Sequence, residues 1–511
     1  MSTKVYSSIE ETKRILSLIL DLVPLPQVVR ETQKHVSFTA SQDYPYFPIP
    51  FKESEVASAL KAIEGLLACA LQDLKEGAHR HRSVTINFEK TTAFLFQAYL
   101  ARVNGHGKLD NEVKKFLKDT DLLQAQSNPY RQTIESRVKQ YTVEELEELN
   151  AEKKQAGIPA YTFEEFLRTP HGKANANIPP WTVDNLERIT PPRPLRNDST
   201  GRVLSGIKVL ELCRIIAGPV MGRILAEYGA DVLKITGPNI SDVPFFQVDG
   251  NMGKHAADLD LKTPEGRQAF ETLVLDADVI LDGYRPGALE RLGYGPLFMS
   301  AMAKKRGYGI VYVNENCFGY EGEWASRPGW QQIADCVTGV AWEQGKFMGL
   351  DEPVVPPFPI SDYGTGCIGA IAALTGLYHR ATVGGSWHGK ASLMHYDLLL
   401  FKAGLYPPEV QRQLRSSTTQ EFLDMRHNNS VDQISGAALR GLNHRIFNDR
   451  DIIDIWYSCA YGADVAAVKP VAEIEGLKLG FKRASRPNGT DPASWNFRDD
   501  EGDYCKSLQC N

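Results

Sequence analysis

The residues with the most chemical promise lie in Ser361-Asp-Tyr-Gly-Thr-Gly366. An aspartate ahead of two glycines can cap the helix that the next small residues predict. Alternatively, a carboxylate held there can attack a carbonyl carbon, as Asp and Glu do in covalent catalysis. Gly364 and Gly366 suit the second use. Glycine lets the backbone approach a ligand closely and leaves amides free to stabilise an oxyanion. Local sequence leaves both readings of Asp362 open. Two further stretches face similar choices. Leu212-Cys-Arg-Ile-Ile-Ala-Gly-Pro219 joins a predicted strand to a predicted helix, where phosphate or ribose groups often sit. It lacks G-x-G-x-x-G, so it carries no dinucleotide fingerprint, and a plain packed turn is the alternative. In Tyr284-Arg-Pro-Gly287, Arg285 follows a strand ending at Asp282. An arginine there lies on the ligand side of an open α/β sheet, and its planar fork suits phosphate oxygens; a surface salt bridge is the plainer use. His379, His388 and His395 share no metal-ligand spacing, so no metal site is expected. Trp330, with Gln331 and Gln332, opens a helical segment as core or pocket wall.

These residues need a scaffold, and the pattern supplies one. Ile207–Leu212, Asp231–Ile235, Val279–Asp282 and Gly309–Val313 read as strands. Met221–Tyr228, Thr263–Leu275 and a segment near Ala288–Leu292 read as helices between them. Strand, helix and strand within about thirty residues imply parallel pairing. Asp362 then precedes a small-residue helix, Gly366–Tyr378, followed by a strand at Lys390–Met394. The expected fold class is α/β, an open parallel sheet of Rossmann-like type with a smaller α+β domain. Upstream, Glu55–Leu74 and Ala93–Val103 read as helices around a strand at Ser83–Phe88. Residues 140–170 form charged helices whose acidic run is most simply a solvated face. Residues 172–202 are rich in proline and polar residues, which marks a linker. A faint repeat aligns PIPFKESEVASALKAIEGL (48–66) with PISDYGTGCIGAIAALTGL (359–377). Under that alignment Phe51 stands where Asp362 stands, so only the second copy would be chemically active. Chance likeness between two amphipathic helices is the alternative.

Composition narrows the setting. The 511-residue chain is 42% apolar and 23% charged, with net charge −6. That balance is globular and offers no basic surface for nucleic acid or an anionic membrane. No apolar run reaches membrane-spanning length and the N-terminus lacks a signal-peptide core. The C-terminal SLQCN is neither a peroxisomal nor a prenylation signal. Eight cysteines form no Cys-x-x-Cys pair; most sit in apolar contexts as small buried thiols, which fits a reducing compartment. A soluble, cytoplasmic protein is expected.

The order of these weak signals is specific. SGIKVLELCRIIAGP, LAEYGADVLKITGP, DLDLKTPEGRQAFETLVLDADVILDGYRPGALERLGYG and PISDYGTGCIGAIAALTGLYHRATVGG follow one another across residues 205–400. This series resembles the class III coenzyme A transferases, the CaiB/BaiF family. More loosely, the whole chain resembles a doubled, fungal-type branch in which a degenerate half precedes the active one. On that resemblance, residues 1–171 are the degenerate half, 172–202 the linker, 203–400 the large domain and 401–511 the C-terminal closure. After Asn128-Pro-Tyr-Arg131 the expected small-domain segment is absent, so the completeness of the first half is in question.

The resemblance implies a catalytic Asp362 and coenzyme contacts from Arg285, Ile215, Ile216, Ala217, Lys262, Gly364 and Gly366. Some transferases have a polar active-site residue where Ile216 stands, so that contact is lost here. It further implies no permanently bound cofactor, a coenzyme A thioester as substrate and a carboxylic acid as acceptor. Coenzyme A would pass between the two acyl groups through covalent aspartyl intermediates. The assembly would be a homodimer or a self-contained doubled monomer, with neither nucleic acid nor membrane as partner. An α-methylacyl-coenzyme A racemase or epimerase is one alternative; it needs a base–acid pair, and Trp330 occupies the place of its histidine. A non-catalytic coenzyme-binding protein is the other.

Overall fold

In a computed structural model, residues 6–118, 131–196, 198, 200–240, 242–442, 447 and 450–497 are described. The Asn128–Tyr130 stretch and the C-terminal SLQCN segment lie outside them. Within the described residues the centre is a seven-stranded sheet. Its order is Trp181–Glu187, Ser386–Ser392, Val311–Asn316, Val279–Asp282, Lys208–Leu212, Asp231–Thr236 and His255–Asp258. All neighbouring pairs are parallel except the first, which is antiparallel. Val279–Asp282 is buried along its whole length, the mark of a parallel strand covered on both faces. The fold is thus the expected α/β class.

Two long helices dominate the core. Glu53–Glu76 and Ile360–Thr382 are buried on nearly every side and pack against each other, as helices without a solvent face must. Both lie in the same local order. Parallel strands Val36–Thr39 and Val84–Asn87 bracket the first helix, and parallel strands Val311–Asn316 and Ser386–Ser392 bracket the second. Each following helix is capped alike: Asn87 accepts from the Lys90 amide and Ser392 from the His395 amide. Phe51 is core, edge-on to Phe401 with ring centroids 5.1 Å apart.

Several expectations need correction. The 172–202 stretch is not a linker. It includes the end of a helix, Pro170–Asn175, and strand Trp181–Glu187, which closes one edge of the large sheet against Ser386–Ser392. Proline-rich composition hid a seven-residue strand that only its partner defines. The helix expected over Ala93–Val103 is broken: Phe88–Phe94 and Gln97–Leu100 are separate, and Arg102–Val103 turns into a strand. The helix expected from Gly366 begins at Ile360. The two chain ends are also built together. Ala472–Ile474 pairs with Val84–Asn87, and Ala463–Val468 with Arg102–Val103. Finally, Cys459 is no free thiol; it is disulfide-bonded, whereas Cys69, Cys213, Cys317, Cys336 and Cys367 are free. Among the described residues, no helix is long and apolar enough to cross a membrane.

Candidate active site

The sheet topology fixes where ligand-facing turns fall. From Lys208–Leu212 the chain moves outward to Asp231–Thr236 and His255–Asp258, then returns to the opposite side at Val279–Asp282. The direction reverses between Lys208–Leu212 and Val279–Asp282, and ligands of open α/β sheets bind outside the strand ends at such a point. The Ile215–Ala217 turn and Arg285 follow these two strands. The strand ends are locked together, since the Gly283 amide donates to the Leu212 carbonyl at 3.1 Å and the Cys213 thiol to the Leu281 carbonyl at 3.6 Å. A Cβ on Gly283 would lie 3.1 Å from Cys213 Sγ and 3.3 Å from Glu315 Oε2. Three strand ends therefore meet at one spot.

Asp362 joins them from the helix Ile360–Thr382. It lies in the first turn, and Pro359 is the N-cap, with no side-chain cap bond. The capping use of Asp362 is not realised. The residue is 9% exposed, and its side chain makes no hydrogen bond among the described residues. Burial pushes its carboxyl well above the usual carboxylate range, and the charges of Glu315 and Asp335 add to the rise. Glu315 is half-buried and without a hydrogen-bond partner among the described residues. Burial and then Asp282 push it up to about 8. Asp282 is itself pushed up to about 7 by burial, although Tyr312 and Asn314 donate to it at 2.9 and 2.8 Å.

Behind Asp362 lies a second polar cluster. Ser361 Oγ contacts Asp335 at 3.2 Å and Asp397 at 2.9 Å. The Gln331 amide donates to Asp335 at 3.0 Å, and Thr338 Oγ1 lies 3.0 Å from Asp397. All five residues are buried. Glu53, from the other long helix, accepts from the Tyr396 hydroxyl at 2.8 Å, and burial pushes it up to about 8.

The two glycines play a role other than the expected one. Gly364 and Gly366 lie inside the helix, where their amides serve the helical ladder and are withheld from a ligand. A Cβ on Gly364 would meet the Tyr396 ring at 2.0 Å; one on Gly366 would meet Val220 at 2.3 Å and the Ala217 carbonyl at 3.2 Å. They are glycines because neighbours occupy the side-chain space, so they act as packing sites and not as a flexible coenzyme-binding loop. The free amides are those of the first turn, before the ladder starts.

The other expected contacts are placed as follows. Arg285 is exposed and has no ionic partner among the described residues, so the salt-bridge alternative is not realised. Ile215 is partly exposed at 37% and has φ +67°. This left-handed backbone is costly for a β-branched residue and clusters at functional sites. Its amide donates to Asp242 at 3.2 Å. Burial pushes Asp242 up, but Lys234, the Val243 amide, Asn488 and Arg214 together outweigh it and hold the carboxyl below its usual value. Ile216 and Ala217 are buried. Lys262 is exposed, in the turn between strand His255–Asp258 and helix Pro264–Val274. It is on the same edge of the sheet, but its strand lies two places from Lys208–Leu212. Trp330 is 51% exposed at the start of helix Gln331–Thr338.

Sequence reasoning missed Arg214, Glu315, Asp335 and Asp397. Arg214 adjoins Ile215 in the turn and has a buried Nε without a partner; its signal was a cation at a βα turn. Glu315 had one too, as a carboxylate at the end of a parallel strand. Asp335 and Asp397 had none, because only folding brings them to Ser361. A cavity of about 320 Å³, lined by Arg202, Trp456, Lys469, Lys478 and Phe481 among others, includes none of the expected residues.

Fold and site define an α/β protein with basic and strained turns at its sheet switch point and a buried carboxylate at an adjoining helix start. The sequence profile of CoA-transferase family III matches residues 204–423. The acetyl-coenzyme A transferase nodX of Hypoxylon pulicicidum is 30% identical over 92% of this chain and 90% of its own length. An acyl-CoA transferase of Gibberella moniliformis is 34% identical over 75% of this chain and 69% of its own. The crystal structure of a CAIB/BAIF family protein from Brucella suis shares 27% identity over 39% of this chain and 54% of its own, with a TM-score of 0.33. The chain belongs to CoA-transferase family III, and it is a transferase of that class.

Proposed function

We propose that this transferase moves coenzyme A from an acyl-coenzyme A donor to a carboxylic acid, with Asp362 as the nucleophile. The observation that carries the reading is a buried, unpartnered carboxylate in the first turn of a helix beside the switch-point turns. A carboxylate stripped of hydrogen bonds and solvent is a stronger nucleophile than one in water, which Asp can use in covalent catalysis.

The Asp362 oxygen attacks the thioester carbonyl, and the C–S bond breaks to release the coenzyme A thiolate and leave an acyl aspartyl anhydride. The thiolate then attacks the aspartyl carbonyl, breaking the anhydride C–O bond. The donor leaves as a carboxylate and an aspartyl thioester remains. An acceptor carboxylate displaces the thiolate from this thioester, giving a second anhydride. Attack of the thiolate on the acceptor carbonyl releases the new thioester and restores Asp362. Asp362 reacts once it has given up the proton that burial favours, and no later step takes up or releases one. Each passes through an oxyanion, for which the free first-turn amides are suitable donors. Arg285, exposed and unpaired, is assigned to the coenzyme phosphates, with Arg214 and Lys262 as further cations on the same sheet edge. Ile215–Ala217 forms the floor of the coenzyme turn. Racemization is disfavoured because Trp330 has no ring group able to exchange a proton near neutrality. We read residues 1–171 as a degenerate copy, 203–400 as the large domain and 401–511 as its closure.

Incubating the protein with an acyl-coenzyme A donor and hydroxylamine should leave a hydroxamate on Asp362, located by peptide mass spectrometry. Asp362→Asn should form no adduct and show no turnover, yet bind coenzyme A as before. Absence of any adduct, together with deuterium exchange alpha to the thioester, refutes the transferase mechanism.

A further inference from the structure

The cluster behind Asp362 has more hydrogen-bond contacts than hydroxyl protons to make them. Ser361 Oγ contacts Asp335 Oδ1 at 3.2 Å and Asp397 Oδ1 at 2.9 Å. Thr338 Oγ1 contacts Asp397 Oδ2 at 3.0 Å and the Ala334 carbonyl at 2.8 Å. Each contact needs one proton. The two hydroxyls supply one each, and neither a carbonyl nor an ionised carboxylate supplies any. Two protons are missing, and the two carboxyl groups are the only sources within these contacts. With both carboxyls protonated, every donor runs one way. Gln331 donates to Asp335, Asp335 to Ser361, Ser361 to Asp397, Asp397 to Thr338, and Thr338 to the Ala334 carbonyl.

We propose that Asp335 and Asp397 are both neutral carboxylic acids in the active protein. Asp335 is then a positioning residue, which holds the turn carrying Asp362 and keeps a second charge away from it. The surroundings support this arrangement. Asp335, Asp397, Ser361, Thr338 and Gln331 are all buried, and burying an ionised carboxylate without a cation is costly. The titratable groups around the pair are Glu53 from helix Glu53–Glu76, Glu315 at the end of strand Val311–Asn316 and Cys317 just after it, Cys336 next to Asp335, Asp362 from the Ile360–Thr382 helix, and Tyr396 beside Asp397. No cation is among the groups that shift either carboxyl. Burial pushes Asp335 up to about 7, so it is the member that ionises first, beside the nucleophile.

The role assigned to Asp335 rests on the reading of Asp362 as the nucleophile; the protonation of the pair does not. Asn reproduces a neutral Asp in this chain, since its amide donates where the acid O–H did and its carbonyl accepts. Asp335→Asn and Asp397→Asn should therefore form the Asp362 adduct within roughly threefold of the native rate at roughly pH 6, as a conserved hydrogen-bond set requires. The ratio of the native rate to the Asp335→Asn rate should fall above about pH 7, a comparison in which the ionisation of Asp362, common to both proteins, cancels. A drop of about a hundredfold in either folded Asn variant at roughly pH 6, the mark of a lost charge-assisted bond, would overturn the proposal. So would a native-to-Asp335→Asn rate ratio that stays constant across that pH range. Infrared difference spectra of the substrate-free protein need no activity. A carboxylic-acid carbonyl band that is missing from Asp335→Asn should be present in the native protein below neutrality, be lost as pH rises through about 7, and shift in Ser361→Ala. Absence of that band overturns the proposal whether or not Asp362 proves to be the nucleophile. Its presence without an Asp362 adduct leaves the neutral pair standing and refutes only the nucleophile.

Discussion

Substitution of Gly364 by alanine separates packing from flexibility. If Gly364 were a flexible hinge, alanine would favour the helix by roughly 1 kcal/mol and raise stability. The structure says otherwise. The added methyl would overlap the Tyr396 ring at 2.0 and 2.1 Å. The ring cannot simply swing away, because its hydroxyl donates to buried Glu53 at 2.8 Å. Overpacking of this kind costs about 1–3 kcal/mol, and loss of the tyrosine hydrogen bond about 0.5–1.5 kcal/mol more. After the helix-propensity gain, the net loss is about 1–3 kcal/mol. Urea unfolding followed by fluorescence should show the midpoint falling with an unchanged slope. In Gly364→Ala with Tyr396→Leu, where the ring is gone, the alanine penalty should largely vanish, a coupling that only residues in contact display. A single variant as stable as the native protein, or more so, would refute the packing account and restore the hinge. Adduct formation at Asp362 should fall with stability, since the displaced ring sits against the same helix turn.

Two other outcomes follow from the site. Arg285→Ala should raise KM for an acyl-coenzyme A donor by about 10- to 100-fold, the worth of one charge-assisted phosphate contact. It should leave the reaction of an acyl-pantetheine lacking those phosphates unchanged; equal losses with both donors would remove Arg285 from phosphate binding. Glu53 tests the pH dependence of stability. Its folded pKa is raised by burial to about 8, above its ordinary 4.5, so its contribution is fully present below 4.5 and lost as pH rises through about 8. Full ionisation would cost on the order of 5 kcal/mol. Glu53→Gln should thus match the native protein at roughly pH 4 and exceed it by a growing margin from roughly pH 5 to pH 9 in urea midpoint. Parallel curves for the two proteins would mean that Glu53 is not held neutral.

Much of the scaffold was legible in the sequence because local patterns dictate it. Apolar runs at Lys208–Leu212 and Val279–Asp282 can only be buried strands between amphipathic helices, and the order of these units fixes a parallel sheet. The turns that matter follow directly, since the ends of parallel strands define the ligand edge wherever the strands lie. The sequence also put Asp362 beside a helix start, but the start itself fell at Ile360. The glycines there are packing sites against Tyr396 and Val220, which no window around residue 362 contains. The strand Trp181–Glu187 escaped for a similar reason: an edge strand with proline neighbours is stabilised by the ladder it joins. The chain ends pair across hundreds of residues, Ala472–Ile474 with Val84–Asn87, and a sequence read locally divides them. The sequence alone therefore determined the class of fold, the family resemblance and the candidate nucleophile. Only the tertiary structure decided what surrounds that nucleophile. Glu315, Asp335 and Asp397 are ordinary polar residues in sequence, and a carboxyl's protonation depends on the water it has lost and the groups it faces.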